Sequence, residues 1–201
     1  MSNLIFTLEI LGTIVFSISG AMVAFRKQMD IFGVAILGMT TSIGGGLFRD
    51  LILGVIPPTC FVKPVYALVG LVTALICFIR PIRNRLKSNN VIILIIDSVG
   101  LGIFTVVGAS TAISLYSDNT FLIIFVSVLT GVGGSVLRDI FAGETPTIFV
   151  KNFYASASLI GAIIYLAVYK LVSLPVAMFL AAGITTVLRL LAAKYRWNLP
   201  K

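Results

Sequence analysis

The chain repeats itself at a period of 88 to 89 residues. Glu9-Ile-Leu-Gly12 and Phe16-Ser-Ile-Ser-Gly20-Ala21 return as Asp97-Ser-Val-Gly100 and Phe104-Thr-Val-Val-Gly108-Ala109. Gly44-Gly45-Gly46-Leu-Phe-Arg49-Asp50 returns as Gly133-Gly134-Ser135-Val-Leu-Arg138-Asp139, and Gly54 as Gly143. Pro58-Thr59-Cys-Phe61-Val62-Lys63-Pro-Val-Tyr66-Ala67 returns as Pro146-Thr147-Ile-Phe149-Val150-Lys151-Asn-Phe-Tyr154-Ala155. Glycines match easily by chance in an apolar chain. Arg-Asp, Pro-Thr and Phe-Val-Lys in the same order do not.

What each copy folds into follows from hydropathy. Of 201 residues, 59% are hydrophobic and 11% charged, against about 25% charged in a soluble domain. So few charges cannot cover a soluble surface, so this is an integral membrane protein. A span takes roughly 20 apolar residues, which leaves room for about seven spans and no extramembrane domain. Apolar runs appear at about Leu4–Phe25, Ile31–Val55, Val65–Ile79, Val91–Leu115, Thr120–Ala142, Phe153–Tyr169 and Pro175–Ala193. The first lacks a basic leader and a small-residue cleavage site, and is expected to be a retained helix.

Each copy of the repeat carries three spans. Three is odd, so the second copy enters the membrane upside down. The expected fold is a single all-α transmembrane domain over residues 1–201: seven transmembrane helices, an inverted 3+3 repeat (about 3–86 and about 91–172) and a seventh helix at about 174–194. This architecture places a pathway at the repeat interface near the bilayer centre.

Loop charges set the orientation. Arg26, Lys27, Arg80, Arg83, Arg85, Lys87, Lys151, Lys194, Arg196 and Lys201 fall on one face, and Lys63 and Lys170 on the other. By the positive-inside rule the N-terminus is outside and the C-terminus cytoplasmic in a plasma (inner) membrane. The formal charge of +8 then belongs to cytoplasmic loops and membrane lipids, and no nucleic-acid partner is expected. With no histidine and only Cys60 and Cys77, His chemistry is excluded, and no metal site or cofactor is expected.

Candidate site residues are those that a membrane helix carries at a cost. Gly44, Gly45 and Gly46 in span two, and Gly131, Gly133 and Gly134 in span five, lower helix stability by roughly 1 kcal/mol each relative to alanine. Close helix packing is one reading. A kink or break turning carbonyls toward a watered cavity is the other, favoured by the two symmetric clusters. Arg49-Asp50 and Arg138-Asp139 lie one turn beyond. Buried charge costs at least about 2.5–3.5 kcal/mol per residue, so each needs water or a partner on another element. Adjacent residues on a helix point apart and are not expected to pair. If the glycines meet at the midplane, the two Arg-Asp pairs flank the centre from opposite sides. They read either as ions locking helices or as charged vestibules.

Glu9 and Asp97 match near the starts of spans one and four, where a helix N-terminus favours an anion and an arginine partner is the other option. Phe16 and Phe104 match near mid-span, as packing or as a hydrophobic gate. Ser42 and Thr130 offer oxygens near the glycines, though back-bonding to the helix is the commoner use. Lys63 and Lys151 match after Pro-Thr loops, as interfacial snorkels or guards of two mouths.

At Gly44-Gly45-Gly46-Leu-Phe-Arg49-Asp50 the chain resembles the prokaryotic trimeric intracellular cation (TRIC) channel family, whose signature is Gly-Gly-Gly-x-x-Arg-Asp. The resemblance covers nearly the whole chain. The second copy departs at Ser135, where the first has Gly46. The resemblance implies a homotrimer with one pore inside each protomer, lined by glycine-kinked helices two and five and conducting monovalent cations, chiefly potassium. Bacterial relatives also carry a glycine-transporter label. Two arginines beside a cation path would repel cations unless Asp50 and Asp139 neutralise them, and a zwitterion such as glycine would want both charges. A secondary transporter of a small amino acid is therefore the alternative. Enzyme activity is not expected, because an intramembrane aspartyl dyad needs two carboxylates in one site, and here Arg precedes both.

Overall fold

The computed structural model of the chain describes residues 3–87, 90–150 and 153–197. Among the described residues it is all helical: α1 (Asn3–Arg26), α2 (Ile31–Ile52), α3 (Thr59–Val62), α4 (Val65–Cys77), α5 (Arg80–Lys87), α6 (Asn90–Leu115), α7 (Thr120–Phe141), α8 (Thr147–Val150), α9 (Tyr154–Val168) and α10 (Leu174–Lys194). Five of these, α1, α2, α6, α7 and α10, are long and apolar enough to cross a membrane. The outward surface of this membrane protein exposes Phe32, Leu68, Phe121 and Phe179, as a face toward hydrocarbon requires.

The third and sixth expected spans are shorter than their apolar runs. α4 has 13 residues and α9 has 15, about 20 and 23 Å at 1.5 Å per residue. That falls short of a hydrocarbon core of roughly 30 Å. A one-turn helix, α3 or α8, precedes each. The basic segment after α4 forms its own helix, α5, with Pro81 in its first turn, where a missing N–H costs nothing. Arg83 of α5 lies over the rings of Phe25 and Phe78, at 5.6 and 5.0 Å.

The repeat recurs in the helix ends. Asp30 Oδ1 accepts the Gly33 N–H at 2.7 Å to cap α2, and its mate Asn119 Oδ1 accepts the Leu122 N–H at 3.0 Å to cap α7. At the other end, Gly54 and Gly143 take φ of +72° and +67°, which only glycine adopts without strain. The next N–H then reaches back to close the helix, Val55 to the Asp50 carbonyl and Glu144 to the Asp139 carbonyl, both at 2.8 Å.

Four helices form the centre. A Cβ added to Gly45 would strike the Thr130 carbonyl oxygen, and one added to Gly134 would strike the Thr41 carbonyl oxygen. Gly44 likewise faces Leu137, and Gly133 faces Phe48. Low numbers on α2 meet high numbers on α7, so the two helices cross antiparallel. Gly12 faces Phe104 and Gly100 faces Phe16, so α1 and α6 cross the same way. Each contact is exchanged with its mate, as a two-fold relation demands. α10, the helix outside the repeat, packs against α6 and α9.

α2 and α7 run unbroken through their glycines. The helices are therefore not broken there, and Gly44, Gly45, Gly133 and Gly134 have a packing role at the crossing. Without a Cβ, the two helices can approach until the backbone of one lies against the backbone of the other.

Candidate functional site

Two ion clusters flank the crossing. In the first, Arg49 Nη1 donates to Glu9 Oε1 on α1 at 2.7 Å, and Arg49 Nε donates to Asp50 Oδ1 at 2.8 Å. Asp50 Oδ2 accepts the Thr59 N–H at 2.7 Å, and the Tyr66 hydroxyl donates to Glu9 Oε2 at 2.5 Å. The second repeats this. Arg138 Nη1 donates to Asp97 Oδ1 at 2.5 Å, Arg138 Nε donates to Asp139 Oδ1 at 2.9 Å, and Asp139 Oδ2 accepts the Thr147 N–H at 2.8 Å. All six charged side chains are buried. Because α2 and α7 are antiparallel, Arg49 and Arg138 lie on opposite sides of the crossing.

The neighbours Arg49 and Asp50 do pair, against expectation, and so do Arg138 and Asp139. The 100° between adjacent side chains separates short residues. An arginine stem is long enough to swing its Nε back over the next carboxylate, leaving the outer nitrogens to reach α1 or α6. Glu9 and Asp97 stand well inside α1 and α6, so they serve as arginine partners and not as helix-end anions. Burying such ions is tolerable only when every charge is countered and hydrogen-bonded.

A small funnel lies beside the first cluster. It is lined by Glu9 and Thr13 of α1, Ser42, Ile43, Gly46, Arg49 and Asp50 of α2, Thr59 and Cys60 of α3, and Tyr66 of α4. Phe104 of α6 also lines it. The matching place in the other copy has a more apolar lining. Thr13, Ile43 and Cys60 are replaced by Leu101, Val132 and Ile148, which cluster with buried Tyr154. Gly46 is replaced by Ser135, whose Oγ accepts the Tyr154 hydroxyl at 3.0 Å. The departure at Ser135 thus coincides with the more apolar lining of that side.

Between the clusters lie Phe16 and Phe104, both buried, with ring centroids 5.1 Å apart and tilted by 37°. Each ring rests on the glycine of the other copy, Phe16 on Gly100 and Phe104 on Gly12. They close the space between α1 and α6.

The other expected residues are placed as follows. The Ser42 hydroxyl lines the funnel while donating to the Met39 carbonyl at 2.7 Å. Thr130 Oγ1 donates back to the Val126 carbonyl at 2.6 Å, as its mate Thr41 does to Leu37. Gly46 borders the funnel, whereas Gly44, Gly45, Gly133 and Gly134 pack at the crossing. Gly131 faces Thr105 and Ser158. Lys63 is exposed at the end of α3. Lys151 lies outside the described residues.

Sequence reasoning missed three groups. Tyr66 and Tyr154 complete the clusters, and their match across the repeat was visible without suggesting a role. Ser19 adds a 2.6 Å acceptor for Arg138 Nη1, with no mate in the other copy. Arg189 of α10 is buried, with its guanidinium 4.8 Å from the Tyr154 ring centroid. As a charge inside a long apolar run, it carried a signal of its own.

Comparison with known proteins agrees with this geometry. A family model described as a glycine transporter matches the chain twice, over residues 6–81 and 94–170, once per repeat. The UPF0126 inner membrane protein YadS of Escherichia coli (strain K12) is 33% identical over 196 residues, covering 98% of this chain and 94% of its own. A solved prokaryotic TRIC channel in 0.5 M KCl shares 35% identity at a TM-score of 0.88, covering 99% of this chain and 100% of its own. The trimeric intracellular cation channel orthologue from Rhodobacter sphaeroides shares 30% identity at a TM-score of 0.87, with coverage of 96% and 99%.

Proposed function

We propose that this chain, which belongs to the prokaryotic TRIC channel family, conducts monovalent cations, potassium foremost, through a path inside each protomer of a homotrimer. The observation that carries the reading is the pair of matched ion clusters on either side of Phe16 and Phe104. Each sets two carboxylates against one arginine, Glu9 and Asp50 against Arg49, and Asp97 and Asp139 against Arg138. A cation entering the funnel meets a formal charge of about one negative, concentrated in a low-dielectric recess. The arginines that would repel it are outnumbered.

In this reading the funnel faces the exterior and the second cluster faces the cytoplasm, following the loop charges. α2 supplies five of the funnel's lining residues, and α7 occupies the matching place in the other copy. In the same reading the path is closed by the phenylalanine pair and by the apolar residues around Leu101. Opening is a shear or bend of α2 against α7 at Gly44–Gly46 and Gly131–Gly134, where backbones touch without side chains to interlock. Membrane lipids solvate the outer face.

One observation favours a second reading, transport of a small amino acid. Arg49 Nη2 turns toward Gly46 at the funnel wall, 4.0 Å from where a Cβ would stand. Beside the carboxylates it would offer a zwitterion both charges. Reconstituted protein tests the two: cation currents support the channel, and saturable glycine uptake without currents supports the transporter.

A further inference from the structure

The two ion clusters match, but the second has a more apolar lining and a charged neighbour on the helix outside the repeat. Formally, Glu9, Arg49 and Asp50 sum to one negative charge, as do Asp97, Arg138 and Asp139. α10 adds a fourth ion to the second cluster alone. Arg189 is 3% exposed, lies 4.8 Å from the Tyr154 ring centroid, and is within electrostatic reach of Asp97 and Arg138. α10 is held beside Asp97 by the Thr186 hydroxyl, which donates to the Ser98 carbonyl at 3.2 Å, and by Gly102, which lies against the Ala182 carbonyl.

We propose that Arg189 is the positioning residue that keeps the second mouth of the path shut. It acts through the Tyr154 ring and by cancelling the surplus negative charge around Arg138. The inference rests on the channel reading above. A guanidinium on an aromatic face fixes the ring in place. Tyr154 then stays packed against Leu101 and Val132 with its hydroxyl on Ser135. A cluster of zero net charge has no call for water or a cation, whereas a buried surplus negative charge draws both. The funnel side lacks a counterpart to Arg189 among the described residues lining it and keeps its negative charge.

The test uses the full chain in liposomes with Cys60→Ser and Cys77→Ala, and Ile148→Cys as reporter at the mate of Cys60. The probe is a membrane-impermeant cationic thiol reagent, applied from the repeat-2 side. With Arg189 intact, labelling at 148 is slow. Arg189→Gln is expected to speed it by on the order of tenfold, the scale of one desolvated cation–π contact, and to raise open probability in bilayers. Arg189→Lys keeps the charge and is expected to stay near the slow rate. Labelling and gating unchanged by Arg189→Gln would overturn the proposal. So would loss of folding in both Arg189→Gln and Arg189→Met, which keeps the buried stem. If no variant passes current, the channel reading fails, while the labelling rates still decide what Arg189 does.

Discussion

Phe16 and Phe104 occupy matching positions in the two copies, and each ring lies on the glycine four residues before the other, with centroids 5.1 Å apart. The contact seals the middle of the molecule with apolar surface drawn equally from both copies. Removing either ring takes out half of the seal. Phe16→Ala is expected to cost about 3–5 kcal/mol of stability and to add a standing cation leak. Flux of a potassium tracer from liposomes measures the leak, and thermal unfolding in detergent measures the stability. Phe104→Ala should match it, because the contact is shared.

The glycines of α2 are not interchangeable. Gly45→Ala drives a methyl into the Thr130 carbonyl oxygen, backbone that cannot step aside. It should destabilise by about 1–3 kcal/mol. Gly46→Ala meets only the end of Arg49 and should be neutral, or gain up to about 1 kcal/mol in helix propensity. Equal damage at the two positions would contradict packing at the crossing as the role of Gly45.

Arg49 holds two carboxylates from different places in the chain. Arg49→Gln leaves Glu9 and Asp50 buried without a counter-charge, at a cost of about 3–5 kcal/mol. Adding Glu9→Gln removes one of those charges, so the double variant should be more stable than the sum of the single losses predicts. Unfolding midpoints for the four proteins of that cycle give the coupling directly. Simple additivity would mean that the 2.7 Å pair does not carry the cluster.

A weaker contact sets a pH dependence outside the spans. Lys27 Nζ lies 3.0 Å from Glu144 Oε1, joining the loop after α1 to the loop after α7. Partial burial pushes the Glu144 carboxyl up, and the hydrogen bond and charge of Lys27, with Arg26 and Arg138, outweigh it, so the group sits below its usual value. A carboxylate lowered on folding adds stability above its unfolded value and loses it as pH falls through the lowered folded value. Both groups are exposed and solvent screens them, so the contribution is about 0.5 kcal/mol or less. The difference in melting temperature between wild type and Glu144→Gln should therefore be small at pH 7 and vanish at strongly acidic pH and in high salt.

Most of the architecture was legible in the sequence because repeats are read by matching and spans by counting. The matched acids, arginines and phenylalanines were flagged, and the structure gathers them around one crossing. The short helices α4 and α9 fall within two residues of the apolar runs Val65–Ile79 and Phe153–Tyr169 at each end. The one-turn helices α3 and α8 before them were not legible, because a four-residue turn has no apolar period of its own. Sequence leaves Glu9 two options, its own helix end or an arginine partner, and only the fold decides, by bringing Arg49 from 40 residues away on α2. The adjacent Arg49–Asp50 pairing runs against the expectation from helical spacing, which holds for short side chains. The asymmetry of the clusters was hidden because it comes from α10, which the repeat does not include, and from Leu101, Val132 and Ile148, which read as ordinary apolar residues.

Bilayer recording of the reconstituted wild-type chain under a potassium chloride gradient tests the central claim most directly. The account predicts single-channel currents whose reversal potential moves toward the potassium equilibrium potential. Saturable uptake of labelled glycine by the same preparation, with no such currents, would contradict it.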